Sequence, residues 1–276
     1  MYTQLVATTQ PLVRTEDNTR FLTAEEFLVY TARVSNPSNQ LNLDTAPKLL
    51  KYCIDHEHWS IFEQASLTYE IQTSRDISAQ IIRHRTFTFQ EFSQRYSMIT
   101  GLESFDIRKQ AIKNRQSSSE VLNLSEKDIK KITKHITDGI ELYNHIIRLG
   151  GAKESARKVL PLCTQTTLYM TGNIRSWIHY ISLRSKEDTQ QEHRDIALSI
   201  KKSFIEMFPS ISEALGWEGE NNNIPTVNSR KNFLLSDNLS PHDMSVDMPP
   251  PPEPLTEKER EEAEREFYEK NNIVVL

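Results

Sequence analysis

Glycine is scarce in this chain, with 7 in 276 residues. A backbone cradle for phosphate needs several glycines close together, so any phosphate site here is expected to rely on side chains. Cysteine is scarcer still: Cys53 and Cys163, with no CxxC pair. That argues against a disulfide scaffold or a zinc ribbon and points to a reducing compartment, hence a cytoplasmic protein. No stretch approaches the roughly 20 consecutive apolar residues of a membrane-spanning helix. Residues 1–5 lack the basic start and long apolar run of a secretory signal. His56-Glu57-His58 lacks a third ligand at recognisable spacing, so no metal is expected. Positive charge is not in excess either: 33 Lys and Arg against 38 Asp and Glu leave a formal charge of −5, which argues against bulk nucleic-acid binding.

What is present suits a soluble globular protein, with 37% apolar and 26% charged residues. The length suggests one large domain or two small ones, enough to bury a core without staples. Residues 1–22 read as a short strand and an irregular lead-in. Thr23 with Glu26 forms a capping box opening a helix, with Leu28, Thr31, Ala32 and Ser35 on one face, ended by Asn36-Pro37. A second helix is expected after Asp44 on the stripe Leu49, Leu50, Cys53, Ile54, and alternation over 67–72 predicts a half-buried strand. Ser74 is placed to cap a helix carrying Ile77, Ile81 and Ile82, with Gln80, Arg83, His84 and Phe87 on another face. Beyond Thr86 an extended run would point Glu91, Ser93 and Arg95 one way and Phe92, Gln94 and Tyr96 the other.

Residues 101–124 read as a polar loop or irregular helix. Ser125 caps a long helix on Ile129, Ile132, Ile136, Ile140, Tyr143, Ile146 and Ile147, a core or oligomer stripe closed by Gly150-Gly151. A short helix reaches Leu160, and helices are expected over 166–183 and 190–208, the latter stopped by Pro209. Composition then shifts: 219–254 is rich in Asn, Ser and Pro, ending in Pro249 to Pro252, and reads as a linker or surface-draped arm. Thr256 caps a charged helix over 257–270, and 273–276 is an apolar end. No internal repeat is found.

Chemistry concentrates between Gln80 and Tyr96. Arg75, Arg83, Arg85 and Arg95 face only Asp76 and Glu91 there, a local positive excess in an acidic chain that suggests a specific anion site. Arg forks match phosphate oxygens in pairs. A solvated helix face with Arg–Glu ion pairs fits the same composition. Ser93 has no base within its own motif and reads as a hydrogen-bond donor rather than a nucleophile. Cys163 reads as a buried, inert thiol.

Arg83-His84-Arg85-x-x-Thr88-x-Gln90-Glu91-x-Ser93-x-Arg95-Tyr96 resembles the hallmark motif of the flavin-dependent thymidylate synthases (the ThyX family), RHRxxSxNExSxRY. Thr88 stands for Ser and Gln90 for Asn. Further segments resemble the family in order: Ala32-Arg33-Val34-Ser35; His58-Trp59-Ser60-Ile61-Phe62-Glu63, with Ile61 for Pro; Ala156-Arg157-Lys158-Val159-Leu160-Pro161; Asn173-Ile174-Arg175-Ser176 with His179 and Leu183-Arg184; and Gln190-Gln191-Glu192. The resemblance covers 1–216, read as the synthase domain, and leaves 217–276 as an extension of unknown function.

The resemblance implies an α+β fold: a twisted, mainly antiparallel sheet flanked by helices, plus a helical portion. The residues alone indicate mixed α and β, with helices dominating the second half. It implies a methyltransferase of dTMP biosynthesis that converts dUMP to dTMP. Methylenetetrahydrofolate would give the carbon, FAD reduced by NADPH would give the hydride, and no cysteine nucleophile would take part. It implies a homotetramer with shared active sites. Carried over, Gln80, Arg83, Glu91, Ser93, Gln94, Arg95, Arg157 and Arg184 bind dUMP, with Arg184 catalytic. Ser35, Ser60, Arg83, His84, Arg85, Glu91, Asn173, Arg175 and His179 bind FAD, and His58 and Tyr96 lie near the flavin and folate. Two rival readings are a nucleic-acid-binding module built on Arg83, Arg85 and Arg95, and a catalytically lapsed family member serving as a scaffold.

Overall fold

The computed structural model describes residues 1–99 and 101–217, together with Thr256 and Lys258. The linker expected over 219–254 and the apolar end 273–276 lie outside the described residues. So does the charged helix 257–270, except for Lys258, which is helical and exposed. The strands are β1 (Tyr2–Thr8), β2 (Ser66–Ser74), β3 (Thr88–Glu91), β4 (Arg108–Gln110), β5 (Ser118–Val121) and β6 (Gln165–Asn173). The helices are α1 (Ala24–Ala32), α2 (Ala46–Asp55), α3 (Arg75–Ile81), α4 (Glu126–Arg148), α5 (Lys153–Ala156), α6 (Ile174–Arg184), α7 (Gln191–Met207) and α8 (Pro209–Ala214). No helix among the described residues is long and apolar enough to cross a membrane. The chain forms two compact units. Of the described residues, one holds Met1–Glu91, Gln110–Ser118 and 167–217; the other holds Phe92–Lys109, Ser119–Thr166, Thr256 and Lys258.

In the first unit a four-stranded sheet runs in the order β1-β2-β6-β3. β1 lies antiparallel to β2, with Tyr2 opposite Gln72 and Thr8 opposite Leu67; β3 lies antiparallel to β6, with Thr88 opposite Thr171 and Glu91 opposite Leu168. The pleat sends alternate side chains inward. Leu67, Tyr69 and Ile71 of β2 and Leu168 and Met170 of β6 are buried on that face. Trp177, Tyr180 and Ile181 of α6 and Ile196, Ile200 and Phe204 of α7 complete the same core. Each such side chain contributes about 1.5–3 kcal/mol through burial. α1 starts as the sequence specifies: Thr23 Oγ1 accepts from Glu26 N at 3.2 Å, and Thr23 N donates to Glu26 Oε2 at 2.7 Å.

Several local expectations need correction. The segment expected as a helix from 166 is strand β6 through Asn173, and only α6 is helical. Its Thr-Thr-Leu-Tyr-Met-Thr run is rich in β-branched and aromatic residues, and it alternates buried Thr166, Leu168 and Met170 with the more exposed Thr167, Tyr169 and Thr171. α3 ends at Ile81, so Arg83, His84 and Phe87 stand in the following turn rather than on a helical face. Ser74 has N-cap backbone angles, but its hydroxyl bonds Asp76 instead of a backbone N–H. The extended run stops at Glu91, and a turn over 93–97 follows, closed by Ser97 N donating to Ser93 O at 3.0 Å.

In the second unit Ser125 caps α4, accepting from Asp128 N at 3.2 Å. Ile136 and Tyr143 are its buried residues; Ile129, Ile132, Ile140, Ile146 and Ile147 are half-buried. Gly150 takes φ 87° as the chain leaves α4, a conformation glycine adopts at no steric cost. The polar region 101–124 is not loop throughout, since β4 and β5 pair as a two-stranded sheet. Cys163 is half-buried rather than buried; Cys53 is the buried thiol.

Candidate active site

The expected site residues divide between the units. Ser35, His58, Ser60, Gln80, Arg83, His84, Arg85, Glu91, Asn173, Arg175, His179 and Arg184 belong to the first; Ser93, Gln94, Arg95, Tyr96 and Arg157 belong to the second.

In the first unit, the turn between α3 and β3 exposes Arg83 and Arg85 and turns His84 inward. Among the described residues the guanidinium groups of Arg83 and Arg85 have no partner, whereas the His84 ring is wedged among aromatic and imidazole rings. Tyr180 meets it edge-on at 5.0 Å, His193 stands perpendicular at 6.2 Å, and Phe87 lies at 6.4 Å. Arg184, the last residue of α6, donates its Nε–H to His84 Nε2 at 2.9 Å. An arginine Nε only donates, so His84 Nε2 is unprotonated and the neutral ring carries its proton on Nδ1. Burial, reinforced by the nearby Arg184 and His179, pushes this imidazole down to about 4. Burial, with Arg184 and His84 adding to it, pushes His193 down to about 3.

Gln80 bridges two further elements. Its Nε2 donates to Gln190 Oε1 at 2.6 Å, and its Oε1 lies 3.4 Å from His193 Nδ1. Glu91 is held by Arg75 and by Ser78, whose Oγ donates at 2.6 Å. Asn173 caps α6, its Oδ1 accepting from Ser176 N at 2.9 Å. Arg175 Nη1 pairs with Glu63 Oε1 at 2.5 Å. His179, Ser35, Ser60 and His58 are exposed. Of the departures from the motif, Thr88 reaches Thr171 O with its hydroxyl at 3.5 Å. Ile61 sits in the 3-10 segment Trp59–Glu63 and packs against the core.

In the second unit, Ser93, Arg95, Tyr96, Ala152, Lys153 and Glu154 line a cavity of about 360 Å³. Arg95 presents both Nε, at 3.1 Å, and Nη2, at 3.0 Å, to Glu154 Oε2. Lys153 Nζ donates to Tyr96 O at 2.9 Å, which ties the turn to α5. Tyr96 itself is 84% exposed. Gln94 points inward, and its Nε2 has no partner among the described residues. Arg157 is half-buried in the 3-10 segment after α5 and has no side-chain partner among the described residues. No group of three or more His, Cys, Asp or Glu among the described residues is placed to hold a metal ion.

His193, Lys153 and Glu154 escaped the sequence reading. His193 sits three residues after Gln190, on the same helical side, and this spacing was the available signal. Glu154 lies three before Arg157 on a short helix, too short to show a period.

A family profile described as "Thymidylate synthase complementing protein" matches residues 18–210. A protein of Paramecium bursaria Chlorella virus 1 named as a probable flavin-dependent thymidylate synthase is 49% identical over 220 residues, covering 79% of this chain and 100% of that one. A flavin-dependent thymidylate synthase of Synechocystis is 47% identical over 201 residues, covering 71% of this chain and 91% of that one. Among solved structures, a UMP/dUMP methylase from Streptomyces cacaoi bound with 5-Br dUMP shares the fold. Its TM-score is 0.66 at 23% identity, over 78% of this chain and 94% of that chain.

Proposed function

The chain belongs to the flavin-dependent thymidylate synthase family, and from that premise we propose that it methylates dUMP to dTMP, with methylenetetrahydrofolate as carbon donor and NADPH as the source of electrons for FAD. The observation that carries this reading is the motif turn, where two exposed guanidinium groups, without partners among the described residues, flank a neutral histidine bonded to Arg184.

A flavin dinucleotide presents two phosphates, and the donor set of Arg83 and Arg85 fits them as permanent cations with bidentate forks. Ser35, Ser60, Asn173, Arg175 and His179 supply further polar groups for the same cofactor. When bound, FAD supplies the hydride, the step no side chain can provide.

For dUMP, Arg95 and Arg157 take the phosphate, Ser93 adds a hydroxyl donor, and Gln80, Arg83, Glu91 and Gln94 complete the site. Arg184 is the catalytic residue. Its guanidinium at the N3/O4 edge of uracil stabilises the negative charge that develops there and polarises C6. Removing a preorganised donor of this kind costs about 2.7–4 kcal/mol, or roughly 100–1000-fold in rate. No thiol attack is needed, and Cys53 is unsuited to one because burial pushes its thiol up. The exposed His58 and Tyr96 are the residues this reading assigns to the vicinity of folate and flavin. The half-buried isoleucines of α4 support a homotetramer with shared sites, formed by residues 1–216 in the cytoplasm.

The test is a dUMP-dependent tritium-release assay with FAD, NADPH and methylenetetrahydrofolate on the full chain. Release that requires all four is expected from a yellow protein bleached by NADPH. A colourless protein that cannot be loaded with FAD would overturn the reading. Salt-steep binding to DNA without turnover would favour the nucleic-acid alternative.

A further inference from the structure

We propose that His84 is a positioning residue for Arg184: its ring nitrogen holds the guanidinium by the Nε–H and leaves both terminal amino groups for the substrate. The inference rests on the reading of Arg184 as the group that meets uracil, and it gives His84 a task in addition to the cofactor contact that the resemblance implies.

Three observations support it. The Arg184–His84 bond, at 2.9 Å, occupies the only Nε donor of Arg184, and among the described residues Nη1 and Nη2 have no protein partner. The acceptor cannot swing away, because Tyr180, Phe87 and His193 surround the ring. Among the described residues, no group recorded against the ring favours a charged imidazole. The groups that face it are His179, Tyr180 and Arg184 of α6, His193 of α7 and Phe87 of its own turn, with no carboxylate among them. A proton on Nε2 would set N–H against N–H and place a second positive charge beside the guanidinium. A neutral acceptor is therefore what the packing permits, and it is what an arginine needs to be aimed without being neutralised. A carboxylate in the same place would aim Arg184 equally well but cancel part of the charge it offers to the uracil.

His193 extends the device. It is fully buried, and its Nδ1 lies near the Gln80 amide that α7 holds through Gln190. The wall behind His84 is thus fastened to α3 and α7 as well as α6.

The test compares H84A, H84Q, R184A and H84A/R184A in the full FAD-loaded chain. At saturating FAD, H84A is expected to keep dUMP affinity while kcat falls on the order of 100-fold, the effect of a misaimed catalytic group. H84Q offers an amide oxygen to the same Nε–H and should recover most of the rate. The double variant should be no slower than R184A, because the two residues act as one unit. Nitrogen-15 shifts of labelled histidine should show His84 neutral and protonated on Nδ1 at pH 6. An Nε2-protonated or charged ring overturns the proposal, as does an H84A protein whose only defect is lost FAD. If R184A turns over normally, the reading of Arg184 falls and takes the proposal with it. If R184A is inactive and H84A is unimpaired, the proposal falls alone. Should H84A fail to fold, the wild-type nitrogen shifts decide.

Discussion

The ring of Phe87 rests on the bare backbone of Gly172, where a Cβ would come within 2.5 Å of Phe87 Cε1. Phe87 in turn packs edge-on against Trp177 at 4.7 Å and stands two residues from Arg85. The absence of a side chain on β6 therefore lets the arginine-bearing turn lie down on the core. G172A should cost about 1–3 kcal/mol, the usual cost of overpacking. It should also weaken FAD binding, since the turn must lift to make room. Urea unfolding and flavin titration check both; unchanged values in each would mean that Phe87 relaxes freely.

His193 supplies a pH dependence whose sign is fixed. In the unfolded chain it titrates near 6.5, and in the folded chain near 3. The unfolded state then binds more protons between these values, so this contribution to stability is full above pH 6.5 and is lost as pH falls towards 3. One proton corresponds to a limiting slope of about 1.4 kcal/mol per pH unit. H193Q should remove that share of the slope between pH 4 and 6, measured as the difference from wild type in urea unfolding. Parallel profiles for the two proteins would contradict the prediction.

What the sequence made legible follows from physics that is local. The capping box at Thr23, the Ser125 cap and the β2 alternation depend on neighbours in the chain, and they stand as read. β6 was misread because Leu168, Met170 and the apolar residues of α6 fit a helical period as readily as an alternating one, and only pairing with β3 settles it. The site divides in the same way. Its cast of arginines is visible in the motif, but the bond between His84 and Arg184 joins residues 100 apart and leaves no trace in spacing. Nor does sequence show that Gln80 meets His193 and Gln190, which the packing of α3 near α7 brings about.

Thr23 offers a test of those local rules. Its hydroxyl and the Glu26 carboxylate satisfy one another's backbone N–H groups, and Arg20 grips the same carboxylate at 2.7 Å. T23A should cost roughly 1 kcal/mol. T23S should restore most of it, since serine keeps the capping oxygen. Thermal unfolding of the two variants decides: equal losses in both would mean that the methyl group, and not the cap, carries the effect.

Arg95 separates binding from stability. Its pair with Glu154 is exposed, with 67% and 55% of the two side chains open to water, so losing it should cost no more than about 1 kcal/mol of folding. Both nitrogens that Arg95 gives to Glu154 form the fork that a phosphate would take, and charge-assisted bonds of this kind are worth about 1.5–3 kcal/mol. R95A should therefore weaken dUMP binding on the order of 10–100-fold with almost no change in melting temperature. R95K keeps the charge but not the planar fork and should rescue only in part. The loss should be confined to the phosphorylated ligand: calorimetric titration with deoxyuridine should give the same affinity for R95A and wild type. An equal loss for both ligands would move Arg95 from the phosphate to the base or sugar. No loss for either would leave Glu154 as its only partner.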